Sequence, residues 1–147
     1  MLFRSIVVGA AVAKPRRALV PAGDPTAEYT GTNPPAVDGK LILMRLGDKL
    51  DIGMDWSAWL AANDGKLKAS AWAVHADSPA TPTLSGGGMD QAEGQTVTIV
   101  DTAGLAVGNT IWLSNSVTIE DASPNASNTY TLPDRTMVRH LHIKVTK

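Results

Sequence analysis

The side chains best suited to binding a metal ion in this sequence are its three histidines, His75, His140 and His142. His140 and His142 are two positions apart in an alternating segment, so both project from the same face of one strand. A catalytic zinc site uses three protein ligands and a structural site uses four. His75 is distant in sequence, and residues around His140 alternate between apolar and polar. This pattern favours the solvent-facing side of a terminal strand over a metal site, and we expect no cofactor.

No spacing of residues in the chain predicts catalysis. The 147 residues include no cysteine, which excludes disulfides and thiolate chemistry. No serine lies in a G-x-S-x-G context, and Gly86-Gly87-Gly88 lacks the Lys-Ser/Thr ending of a phosphate-binding loop. The carboxylates are scattered along the chain, as at Asp51, Asp55, Asp90 and Glu93. We therefore expect a protein that is not an enzyme.

The basic residues Lys14, Arg16 and Arg17 form one small cluster beside Pro15. It is either a solvated bend or a contact for an acidic patch on a partner. The formal net charge of −1 predicts no attraction to nucleic acid or to an anionic membrane. No aromatic stacking platform accompanies the cluster, which further disfavours nucleic acid.

Two of the four tryptophans can be assigned from their positions in strand patterns. Trp56 and Trp72 are in phase with apolar strand faces and are expected in the core. Trp112 lies between Ile111 and Leu113, and the pattern leaves open which of them points inward. Trp59 follows the end of a strand, and we expect it to be an exposed anchor at an interface, where aromatic residues are enriched.

The elements that hold these residues are predicted to be short strands. In residues 50–56, Leu50, Ile52, Met54 and Trp56 alternate with polar or small residues, as a half-buried strand requires. The alternation stops at Ser57, where Asp55 or Ser57 could cap a short helical turn. Further strands are predicted at 67–76, 95–100, 110–114, 117–120, 129–132 and 137–145, with a possible strand or packed link at 40–46 and a flexible loop at 84–88.

Turn signals every eight to twelve residues predict an all-β fold, an antiparallel β-sandwich over residues 46–147. A jelly roll or a small barrel is the alternative. The chain contains 13 glycines and 9 prolines, which fits many turns between short strands.

Residues 1–45 are punctuated by prolines and are predicted to be an extended N-terminal arm. We expect the arm to pack along neighbouring subunits; the alternative is an arm folded back as an edge strand. Residues 6–13 also resemble a minimal signal peptide ending in Ala11-Val12-Ala13, although the run is short of the ~20 residues of a membrane helix. The residues we expect at interfaces are Ile6, Val7, Val8, Arg16, Arg17, Leu19 and Trp59.

The segment D-I-G-M-D-W-S-A-W-L at residues 51–60, followed by Ala71-Trp72-Ala73-Val74, resembles the start of the fibre–tail adaptor proteins of tailed phages. The similarity continues through residues 107–115 and 135–145. The resemblance implies an Ig-like sandwich in the virion, without catalytic residues, arranged in a ring between the tail or connector and the fibres. The arm is longer than the short leader of that family.

The sequence thus predicts a structural virion protein assembled in the bacterial cytoplasm as a homo-oligomeric ring. Its expected partners are the connector or portal, tail and fibre proteins, with the capsid as a further candidate, and neither nucleic acid nor membrane. Two alternatives remain open: a capsid decoration protein, and a secreted Ig-like module that binds carbohydrate or a cell surface.

Overall fold

The computed structural model describes residues 18–21, 41–123 and 133–147, the first of these ranges by its backbone alone. Within these ranges the chain forms eight strands and one short helix. In chain order they are β1 (Ala18–Pro21), β2 (Leu41–Arg45), β3 (Lys49–Asp55), α1 (Ser57–Ala62), β4 (Gly65–Val74), β5 (Thr83–Asp90), β6 (Gln95–Asp101), β7 (Thr110–Asp121) and β8 (Arg135–Thr146).

The strands form two four-stranded sheets that pack face to face as a β-sandwich, which confirms the predicted all-β class. Sheet A has the order β1-β3-β6-β5, and sheet B has the order β2-β8-β7-β4. The core lies between them, with Ile52 and Val100 from sheet A facing Leu113 and Ile143 from sheet B. Among the described residues, no helix is long and apolar enough to cross a membrane.

Strand β7 shows most clearly how alternation builds this core. Every second residue from Ile111 to Ile119 is buried, and the residues between them are partly exposed. The sequence predicted two strands here, at residues 110–114 and 117–120. The structure has one continuous strand, since Asn115 occupies an inward position and is fully buried.

The segment around Trp56 forms the predicted strand and helical turn. Ile52, Met54 and Trp56 are buried, as the alternation indicates. Trp56 is the N-cap residue of α1, and the Asp55 carboxylate accepts a hydrogen bond of 2.9 Å from the Ser57 backbone N–H. The helix ends before Asp64, whose positive φ of 46° turns the chain into β4.

The glycine-rich segment at 84–88 is a strand, and the predicted loop is therefore wrong. Residues Thr83–Asp90 pair with β6, but the register shifts between Ser85 and Gly88. Gly86 and Gly87 form the resulting bulge with φ values of 59° and 109°, which glycine adopts at little cost. Glycine thus bends this edge strand without ending it.

Both described segments of the predicted arm are edge strands of the sandwich. β1 pairs in parallel with β3, and β2 pairs in parallel with β8. Met44 on β2 is 1% exposed, so the sandwich begins before residue 46. The alternative of an arm folded back as an edge strand therefore holds for these two segments. The rest of residues 1–45, and the strand predicted at 129–132, lie outside the described residues.

Candidate protein-interaction surface

The tryptophan of the D-W-S segment is a buried hydrogen-bond donor that links the two sheets. Trp56 Nε1 donates to Asn115 Oδ1 over 2.9 Å, and Thr96 Oγ1 donates to the same oxygen over 2.7 Å. The Asn115 amide nitrogen donates to Ser70 Oγ and to the Ala71 carbonyl. Every hydrogen-bonding group of the Asn115 side chain thus has partners, and the network fixes sheet A against sheet B.

Trp59 is buried, and the prediction of an exposed anchor is wrong. Its side chain is 4% exposed and meets Trp56 edge to face at a ring distance of 6.5 Å. The guanidinium carbon of Arg135 lies 5.9 Å from the centre of the Trp59 ring, within cation–π range. The reason is helical spacing: three residues after Trp56, α1 brings position 59 back to the core side.

The structure describes no side chain of the other residues predicted at interfaces. Ile6, Val7, Val8, Arg16 and Arg17 lie outside the described residues. Leu19 lies on β1, where its backbone is in register with Gly53 of β3.

The three histidines and Trp112 come together on the outer face of sheet B, which the sequence could not indicate for His75. We call His75, Trp112, His140 and His142 the imidazole–indole cluster. The His142 ring stacks on Trp112 at 5.5 Å with an interplanar angle of 20°. The His75 ring meets His140 at 5.4 Å and Trp112 at 6.1 Å.

Hydrogen bonds orient the two imidazoles at the centre of this cluster. His75 Nδ1 accepts from the Asp77 backbone N–H, and His140 Nδ1 lies 3.1 Å from Ser114 Oγ. Burial lowers the pKa of His140, and nearby positive charges lower it further: His75, His142 and Arg139. The His140 imidazole is therefore uncharged around physiological pH and takes up a proton only on acidification.

The cluster is not arranged as a metal centre. Across residues 41–123 and 133–147, no group of three or more His, Cys, Asp or Glu side chains could hold a metal ion. Two of the scattered carboxylates accept local backbone hydrogen bonds. Asp55 accepts from Ser57, and Asp90 accepts from Glu93.

Exposed aliphatic side chains surround the cluster on the same face. Leu41 and Leu43 on β2 are 50% and 64% exposed, and Val138 on β8 is 42% exposed. Leu41 is in register with His142, which itself is in register with Trp112. Together with the imidazole–indole cluster and the exposed Lys144, which is in register with Leu43, they make up what we call the outer B face.

A cleft lies at the side of the sandwich, where β4 and β5 form the edges of the two sheets. This edge cleft has a volume of about 450 Å³ and is lined by Ser70 and Trp72 of β4, residues 84–88 of β5, and Val97 and Thr98 of β6. None of these lining residues is charged. Trp72 Nε1 is buried and has no hydrogen-bond partner among the described residues.

Sequence reasoning found the individual residues of these features but not their association. The alternation of β8 correctly placed His140 and His142 on one outward face, and the structure shows that Trp112 shares it. The burial of Ile111 and Leu113 settles the orientation that the sequence left open. No family model matches the chain, and no curated protein matches it significantly.

Proposed function

We propose that this chain is a non-enzymatic structural protein of a tailed bacteriophage virion, an adaptor that joins the connector or tail to fibres or to neighbouring subunits. The outer B face is the observation that carries the proposal. It presents Leu41, Leu43 and Val138 to solvent beside a stacked Trp–His pair. Contiguous exposed apolar surface of this kind is typical of protein contact sites.

The composition of the outer B face suits contact with another protein. Its centre is aromatic and imidazole-rich, and its aliphatic side chains lie on β2 and β8. Aromatic side chains are enriched at interfaces because they bury much area at little cost in conformational entropy. A stable contact would bury about 800 Å² on each partner.

The interior of the sandwich supports a role as a rigid spacer. The hydrogen bonds of Asn115 connect β4 and β7 to Trp56 and β6, so the two sheets are held in one relative position. A ring of subunits needs such rigidity, because each copy must present its contact surfaces at a fixed angle.

The resemblance of residues 51–60 to the fibre–tail adaptor proteins supports the same proposal. Trp56, the tryptophan of the D-W-S segment, is fully buried. Its indole N–H is satisfied by Asn115, which lies in the part of the chain similar to the later family segment. Two residues of the segments that carry the resemblance, Trp56 and Asn115, are therefore hydrogen-bonded to each other in the core.

Antibody labelling of intact phage particles encoded by the same genome tests the proposal. Label confined to the junction between head and tail, or to the base of the fibres, is the expected result. Label distributed over the head would replace the adaptor by a capsid decoration protein. Absence of the chain from purified particles, measured by mass spectrometry, would overturn a virion role altogether.

A further inference from the structure

We propose that the edge cleft binds residues 5–13 of a neighbouring copy of this chain, which add to β4 as an extra strand. The inference rests on the proposed function, because it names the contact that would connect adjacent subunits. It is carried by the strand edges at the cleft, by the uncharged lining of the cleft, and by the position of β1, which follows residues 5–13 in the chain.

Within the described part of the chain, the two strands beside the cleft are edge strands of their sheets. Among the described strands, β4 ends sheet B and β5 ends sheet A, with no further strand beside either. An unpaired edge is a template for another strand, and main-chain hydrogen bonds supply much of the affinity in such additions. β5 is interrupted by its glycine bulge, so the more regular edge of β4 at residues 70–74 is the better template.

The lining of the cleft matches the chemistry of residues 5–13. The walls contain no charged side chain, and the segment Ser-Ile-Val-Val-Gly-Ala-Ala-Val-Ala contains none either. Trp72, Leu84 and Val97 supply apolar surface, and Gly88 leaves room for a docked side chain because no atom lies within 4 Å of the position a Cβ would take. Val and Ile favour strand conformation.

The position of β1 makes the contact a head-to-tail one. β1 begins at Ala18 and lies at the edge of sheet A opposite β5. Residues 14–17 link the docked segment to β1 and can span at most roughly 18 Å between residue 13 and Ala18, so the contact requires the cleft of the adjacent subunit to lie beside β1. A segment that leaves one edge and binds at the opposite edge of the next copy produces a heterologous contact, which closes into a ring when the rotation allows it.

Disulfide trapping between two single-cysteine variants tests this contact directly, because the chain has no cysteine of its own. Full-length Val7→Cys and a mass-tagged Ser85→Cys are mixed under reducing conditions and then oxidised. We expect a cross-linked heterodimer in at least about tenfold higher yield than with Lys144→Cys, since docking raises the local thiol concentration to the millimolar range. Lys144 is exposed on the outer B face, away from the cleft.

Filling the cleft provides the second measurement. Adding Gly88→Val to the Ser85→Cys chain places a side chain in open space at a residue without a positive φ, so folding should be preserved. The thermal midpoint verifies this, and the heterodimer yield should fall by about tenfold, to the level of the Lys144→Cys control.

Several results would overturn the proposal. These are equal yields for Ser85→Cys and Lys144→Cys, a yield unaffected by Gly88→Val, or a Val7→Cys/Ser85→Cys double variant that cross-links only within one chain. Particle labelling is independent of all of these, so a virion protein that fails to cross-link contradicts this inference alone.

Discussion

Asn115 occupies a core position where a sandwich strand usually carries an aliphatic side chain. It is fully buried, yet its amide is completely engaged by Trp56, Thr96, Ser70 and the Ala71 carbonyl. A buried polar group is tolerated only when its hydrogen bonds are made, and a satisfied network favours one arrangement of its partners. Asn115 therefore determines which sheet-to-sheet packing the apolar core adopts.

Replacing Asn115 by alanine should lower the free energy of unfolding by about 3–4 kcal/mol, because it leaves buried Trp56 and Thr96 donors without an acceptor and creates a cavity. Urea denaturation measures the change. Ser116→Ala is the matched control, since its side chain is on the opposite face of the same strand. Equal effects of the two substitutions would contradict the role of the network.

His140 should make the stability of the fold depend on pH. Burial, followed by the charges of His75, His142 and Arg139, lowers its pKa below the ordinary value of 6.5. The unfolded chain then takes up a proton near pH 6.5 that the folded chain accepts only at lower pH. The free energy of unfolding should therefore fall as the pH drops below about 6.5, and level off below the folded pKa.

The His140→Gln variant isolates this contribution, because glutamine is polar and does not titrate. Urea denaturation at pH 7.5 and pH 5.5 should show a smaller loss of stability in His140→Gln than in the unmodified chain. Lys144→Gln, on the same face of β8, should behave as the unmodified chain does. A His140→Gln variant with an unchanged pH dependence would contradict the assignment.

Among the elements, the edge strand β2 shows how the N-terminal region contributes to the fold. It pairs in parallel with β8 along its whole length from Leu41 to Arg45. Its inward residue Met44 is part of the core, whereas its outward residue Leu43 belongs to the outer B face. One short strand thus both completes the core of sheet B and extends its exposed surface.

Alanine substitutions at these two positions should separate the two contributions of β2. Met44→Ala should lower the free energy of unfolding by about 2–5 kcal/mol, as expected for a buried methionine. Leu43→Ala should change it by no more than about 0.5 kcal/mol, because the side chain is mostly exposed. Thermal or urea unfolding of both variants provides the comparison. A Met44→Ala chain with the same free energy of unfolding as the unmodified chain would contradict the packing of β2 against the core.

At the scale of the whole molecule, the described part of the chain carries the two surfaces that we propose as contact sites. The outer B face lies on sheet B, and the edge cleft lies between β4 and β5 at the side. A module with two separate contact surfaces can bind a neighbouring copy through one and a different partner through the other. This arrangement is what an adaptor in a ring requires.

Deletion of residues 1–17 should weaken self-association without destabilising the fold. The deletion leaves β1 and β2 in place, whereas deletion of residues 1–40 would also remove β1 from the edge of sheet A. Light scattering should show a lower molar mass for the shortened chain at the same concentration, with the thermal midpoint unchanged. An unchanged molar mass would contradict assembly through the arm.

Much of the fold could be predicted from local patterns. Alternation located β3, β6 and β8, and Asn63-Asp64-Gly65 correctly indicated a turn. Predictions failed where the same residue type is common in two kinds of structure, as glycine is in loops and in strand bulges. Residues 84–88 were assigned to a loop although they belong to a strand with a bulge at Gly86 and Gly87, and the predicted strands 110–114 and 117–120 are one strand with Asn115 buried in it.

The sequence by itself determined the sandwich class and the inward or outward direction of most strand residues, because side-chain alternation is a local property of the backbone. Only the tertiary structure decided which outward residues are neighbours. Strand pairing brings His75 of the segment after β4 to His140 of β8, and the packing of the two sheets brings the edges of β4 and β5 together at a cleft. Such pairings join residues far apart in the chain, so no periodicity in the sequence records them.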